Sequence, residues 1–281
     1  MRRAFFLLSC LGLGACAWEP GQGFAVLEPT VRAAYEPLAD RTTPDGYQQL
    51  SSNYQVLVDG ASLRLSGIEL IAIAGGSGGG FNPANPPPGY SLCHGGHCHR
   101  DDGALIPYEQ VAAEAGGGGG SSTVATLPVT GPLNLLAPER LAVECLPDCA
   151  LPQTTVSQDR WGIESLQLEG TVRDARVPAR FPGERRFRWV LSRTSTSEAP
   201  AAVLDGSMDL PSDRSTPPQA KLDLNLVLTA RLFDAVDWST LTEGSDGVVE
   251  ISDEENREVH AALKERLATV SPEAEVTRGE R

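Results

Sequence analysis

The sequence predicts an all-β fold: a β-sandwich with a long Gly/Pro-rich inserted loop and a C-terminal amphipathic helix. Three observations lead there. Short runs rich in Val, Leu and Ile recur with period-two alternation of apolar and polar residues. Turn-forming residues separate the runs, in a chain that holds 29 glycines and 21 prolines. Helical character is confined to two stretches, so sheet has to pack on sheet.

Taken in order, Phe24 to Tyr35 reads as a first strand interrupted by Pro29. Tyr54 to Val58 and Leu63 to Ile73 read as two strands joined by Asp59-Gly60-Ala61-Ser62, a glycine-containing break that signals a hairpin. Ala74 to Tyr90 and Gly116 to Ser122 are low-complexity stretches of high backbone entropy. Between them Pro107 suits a first helical turn, with Tyr108 to Ala115 as a short helix. Residues 75–122 are therefore expected to form one insertion between the strands Leu63–Ile73 and Thr123–Val129.

Gly162 to Arg173 alternates through Ile163, Leu166, Leu168 and Val172, and Arg185 to Arg193 places Phe187, Trp189 and Leu191 on one face. Lys221 to Phe233 is the clearest strand: Leu222, Leu224, Leu226 and Leu228 face a core while Asp223 and Asn225 face water. Ser252 and Glu255 have capping-box spacing, and Asp253 to Thr269 follows as a helix with Val259, Leu263 and Leu267 on its apolar stripe. His260 is expected on the solvated side of that helix. The sandwich domain spans 24–270, and the polar residues 271–281 read as a disordered tail.

The N-terminus carries Arg2 and Arg3, then an apolar stretch from Ala4 to Leu13 that is half the length of a membrane-spanning helix and fits a signal peptide over 1–15. It ends in Leu13-Gly14-Ala15-Cys16, which resembles the lipobox of bacterial lipoproteins. Leu7-Leu8-Ser9-Cys10 has the same pattern but leaves too few apolar residues upstream. The resemblance implies lipidation of Cys16 as the new N-terminus and a tether over 16–23; the alternative is an ordinary secretory signal cut near Ala15 or Ala17, which changes the anchor but not the compartment. Several acyl chains, each buried CH₂ contributing about 0.8 kcal/mol, hold such a protein on a membrane through its lipid anchor. Ala17 follows the cysteine where aspartate often marks inner-membrane retention, so the expected location is the cell envelope with the outer membrane favoured.

Loss of residues 1–15 takes Arg2 and Arg3 from the 23 basic residues and nothing from the 37 acidic ones, so the net charge of −14 becomes −16. A surface of that sign repels phosphate backbones, which excludes nucleic acid as a partner.

The most chemically loaded stretch is Cys93-His94-Gly95-Gly96-His97-Cys98-His99, which holds three of the chain's four histidines. Two thiols and three imidazoles within one loop suit copper or zinc, with His94, His97 and His99 as ligands and Cys93 and Cys98 as further ligands or as a redox-sensitive bridge. Asp101 or Asp102 is placed to add an oxygen or orient an imidazole. The plainer alternative is a non-catalytic structural or interaction lipoprotein in which a Cys93–Cys98 disulfide staples a surface loop. A second alternative rests on Cys98-His99, which resembles c-type haem attachment with four residues between the cysteines instead of two; His94, His97, Met208 or His260 would then supply the second axial ligand. A β-rich exported chain with a Cys/His loop also bears a loose resemblance to periplasmic copper-binding lipoproteins, without a motif that aligns.

Cys145 and Cys149 join Cys93 and Cys98 as disulfide candidates, and four cysteines allow three pairings. No catalytic residues are assigned. Gly75-Gly76-Ser77-Gly78-Gly79 matches the G-x-S-x-G string of serine hydrolases, but a glycine and then prolines follow instead of a helix. The chain is read as a non-enzyme.

Overall fold

The computed structural model describes residues 24–73, 89–94, 97–107, 111, 121–152, 154–194, 197–213 and 216–279. The signal peptide, Cys16, the G-x-S-x-G string and most of the helix expected over Tyr108 to Ala115 lie outside the described residues.

The fold is all-β, with one α-helix among the described residues. Strands β1 (Ala25–Tyr35), β2 (Gln48–Gln49) and β3 (Tyr54–Ile73) come first, and β4 (Tyr90–His94), β5 (His97–Arg100) and β6 (Leu105–Pro107) form a small sheet of their own. Four short strands follow, β7 (Ser121–Leu127), β8 (Leu133–Asn134), β9 (Leu141–Ala142) and β10 (Ala150–Leu151), before the long β11 (Thr154–Asp174). Then come β12 (Glu184–Ser192), β13 (Ala202–Ser212), β14 (Gln219–Leu228), β15 (Val248–Ile251), helix α1 (Arg257–Leu267) and β16 (Glu273–Arg278).

Thirteen of these strands belong to one sheet, with the order β10-β1-β14-β16-β13-β11-β12-β15 and β3 alongside β11. Burial alternates residue by residue along β1, β12 and β14, so the sheet hides one face. A single helix is too little to cover it. The sheet therefore curls around its own core, where Trp161, Trp189, Trp238, Tyr54 and Phe233 are fully buried. Residues 133–146 bring its ends together. Leu146 and Thr126 exchange backbone hydrogen bonds of 2.8 and 2.9 Å, Tyr35 N donates to Leu135 O (2.9 Å), and Leu135 N donates to Ala61 O (3.0 Å). The layers expected from the sequence are thus parts of one hydrogen-bonded sheet.

Several local expectations need correction. The hairpin over Tyr54–Ile73 is absent: β3 runs straight through, because β11 offers an unbroken partner from Asp174 opposite Tyr54 to Val156 opposite Ala72. The break at Asp59-Gly60 appears instead as a register shift opposite Glu169 and Gly170, a bulge that bends the strand without reversing it. The residues 271–281, read as a disordered tail, include β16, which lies between β14 and β13. Its signal was the alternation of Ala274 and Val276 with exposed Glu273, Glu275 and Thr277. The helix begins later than the capping box implied. Ser252 Oγ accepts from Glu254 N and Glu255 N in a turn, and Asn256, at φ 51°, precedes α1 while its amide binds Thr242 and Glu250.

The insertion leaves from a well-defined place. β3 and β7 pair antiparallel with Ile73 opposite Ser121, so the chain departs and returns at neighbouring positions.

Candidate functional site

The Cys/His stretch forms a hairpin. In β4 and β5, Leu92 stands opposite His99, Cys93 opposite Cys98 and His94 opposite His97, with two residues joining the strands. Two-residue connections are the tightest that antiparallel strands allow. β6 adds a third strand, with Cys98 opposite Ile106 and His99 opposite Leu105.

Strand geometry sorts the chemistry. Residues opposite each other share a face and successive residues alternate. Cys98 and His99, successive on β5, therefore take opposite faces. The cysteine face is dry: Cys98 and Val111 are fully buried and pack with Ile106, flanked by Tyr90 and Ala104. The histidine face is wet, since Leu105, opposite His99, is 58% exposed. Register pairs bring Cβ atoms to about 5 Å, and next-but-one residues on a strand lie about 7 Å apart.

Cys98 is disulfide-bonded, and Cys93 is its partner in register. A sulfur in a disulfide is neither a thiolate ligand nor a thiol free to form a haem thioether, so this form of the chain offers imidazole nitrogens alone. Among the described residues no group of three or more His, Cys, Asp or Glu side chains is gathered for a metal ion; the side chains of Cys93, His94 and His97 lie outside those residues. Asp102 is occupied elsewhere. Its Oδ1 accepts from Ala104 N (3.0 Å) and its Oδ2 from Arg100 Nε (3.0 Å), which lowers its pKa and closes the turn between β5 and β6. Asp101 N donates to Gly89 O (3.0 Å), tying that turn to the start of β4.

Cys145 and Cys149 form a local disulfide, S–S 2.02 Å, with Cys145 buried. They do not complete a four-ligand site with the hairpin.

Two buried ionisable groups escaped the sequence reading. His260, expected in solvent, is only 3% exposed and takes the position on the apolar stripe of α1 assigned to Val259. Trp189 Nε1 donates to its Nδ1 (3.3 Å), and its Nε2 lies 3.2 Å from Asp253 Oδ1. Burial lowers its pKa and Lys264 pushes the same way, against the pull of Asp253. Asp159 on β11 is fully buried and accepts from Trp161 Nε1, while its Oδ1 has no partner. Burial raises its pKa. The side chain fits because Gly206 stands opposite, where a Cβ would overlap the carboxyl group.

A scan against protein-family models, a search of curated proteins and a search of solved structures each return no match for this chain.

Proposed function

We propose that this is an exported, lipid-anchored protein of the cell envelope that binds a divalent transition metal, copper or zinc, through His94, His97 and His99. One observation supports the reading above others: the hairpin register sets His94 opposite His97 and Cys93 opposite Cys98. The disulfide then acts as a staple and the imidazoles as the ligand set, which favours Cu(II) or Zn(II) over the thiolate-seeking Cu(I). Support for export comes from the lipobox-like Leu13-Gly14-Ala15-Cys16 and from cysteines that are bridged, as in oxidising compartments. No helix among the described residues is long and apolar enough to cross a membrane. The proposed attachment is the acylated Cys16.

Titration of the chain with Zn²⁺ and with Cu²⁺, followed by native mass spectrometry, tests the metal site. One ion per chain is expected, lost when His94, His97 and His99 are all changed to alanine. Absence of stoichiometric binding in the unaltered, oxidised protein rejects it. Incorporation of labelled palmitate that disappears in Cys16→Ser tests the anchor separately.

A second reading, a structural or interaction lipoprotein whose loop is merely stapled, is favoured by the burial of Cys98 with Ile106 and Val111. It predicts no bound ion.

A further inference from the structure

β1 pairs with β14 along most of its length on one side, but only in two short pieces on the other. β10 covers Ala25 and Val26, β9 covers Thr30 and Val31, and the chain from Val143 to Cys149 bows outward between them. The bow is held along its length. Val143 N donates to Pro29 O (3.1 Å), Leu27 N donates to Cys149 O (2.9 Å), Leu146 is bonded to Thr126, and the Cys145–Cys149 disulfide closes the neck. Pro29 has no N–H, so its place at the floor leaves no donor unsatisfied there.

Between this bow and the outer face of β1 and β14 lies an open groove of about 790 Å³, a size typical of sites for small ligands. Val143, Pro147 and the disulfide give it apolar walls, and Leu146 at the bow is 56% exposed. Its charges do not cancel. Arg140 is engaged by Asp223, which also accepts from Thr30 Oγ1 (2.5 Å), and Lys221 stands opposite Glu28 in register. That leaves Glu144 and Asp148, both exposed and neither in an ion pair among the described residues.

We propose that this groove binds cationic amphiphiles, ligands that join an apolar body to one positive charge. The apolar body gains from leaving water, about 25 cal/mol per Å² buried. The two acids select the sign of the charge, contributing more to specificity than to affinity because they remain hydrated. A wall fixed by hydrogen bonds and a disulfide is already shaped, so little ordering opposes binding. The groove stands apart from the histidine hairpin and does not depend on it.

The test uses the ¹⁵N-labelled full chain titrated with dodecyltrimethylammonium, dodecyl sulfate and dodecyl maltoside, each below its micelle concentration, with amide shifts read by NMR. Saturable shifts at Leu27 and Val143 to Cys149 are expected with the ammonium probe, and affinity about tenfold weaker for the other two. Glu144→Gln with Asp148→Asn should cost the ammonium probe about tenfold in affinity. Asp148→Asn keeps the side-chain oxygen that accepts from Ala150 N (2.7 Å), so thermal unfolding should be unchanged. Equal affinity for all three probes, shifts elsewhere only, or binding that ignores the double substitution overturns the assignment.

Discussion

Trp189 on β12 donates its indole N–H to Nδ1 of His260 on α1 across 3.3 Å, with both rings buried. The bond demands a neutral imidazole that carries its proton on Nε2, which lies near Asp253 without a hydrogen bond to it. A proton on Nδ1 would set two N–H donors against each other.

Acid should therefore loosen the attachment of α1. The folded pKa of His260 lies below its ordinary 6.5, so the unfolded chain binds a proton that the folded chain resists. The contribution is fully present above about pH 6.5 and is lost as pH falls from there toward the folded value. His260→Gln should flatten this stretch of the stability curve, measured by urea unfolding at pH 5.0 and 7.5. A variant as steep as the parent would remove His260 from the account.

Asp159 works with the opposite sign. Its folded pKa lies above the ordinary 3.8, so the fold favours the protonated acid, and its contribution is lost as pH rises from about 3.8 through the folded value. Asp159→Asn keeps an acceptor for Trp161 and cannot ionise. The variant should gain on the parent as pH rises from about 4 and level off above the folded pKa, and a constant difference between pH 4 and pH 8 would contradict the buried-acid reading.

Gly170 of β11 has no room for a side chain. A Cβ there would overlap the carbonyl oxygen of Leu57 and come within 3.0 Å of Val58 Cα, both backbone atoms of β3. Gly170→Ala should cost roughly 3 kcal/mol, the upper range for overpacking. Gly60→Ala, which meets the Glu169 side chain at 3.3 Å, should cost clearly less in the same thermal-unfolding comparison.

The hairpin yields a redox prediction. If the disulfide at Cys98 is a staple, replacing Cys93 and Cys98 by serine frees a short loop whose ordering costs roughly 2 kcal/mol, and metal affinity falls by more than tenfold. If thiolates were ligands, a phosphine reductant, which adds no competing thiolate, would instead strengthen binding. Calorimetric titration with Zn²⁺ under both conditions separates these outcomes.

The β character of the chain was legible because alternation survives wherever one face of a strand meets the core, as at Leu222 to Leu228 and Phe187 to Leu191. What the sequence concealed was long-range. Asp59 and Gly60 look like a turn, yet the uninterrupted edge of β11 carries them through as strand. Glu273 to Arg278 looks like solvated tail, yet it finds backbone partners on β14. His260 resembles a surface residue among charged neighbours, and only the position of Trp189 shows otherwise. At the candidate site the crowding of histidines was plain in the sequence. That Cys93 stands opposite Cys98, and His94 opposite His97, needed the hairpin register, which composition cannot supply.

Ile73 and Ser121 stand opposite each other in the register of β3 and β7, so the chain between them begins and ends at adjoining points. A short turn of glycine and asparagine is long enough to span that gap. Removal of residues 75–119 should thus leave the curled sheet intact, and the same excursion is portable: grafted onto another antiparallel edge, it would carry its chemistry along. Whatever this hairpin does can be gained, lost or retuned without renegotiating the scaffold beneath it.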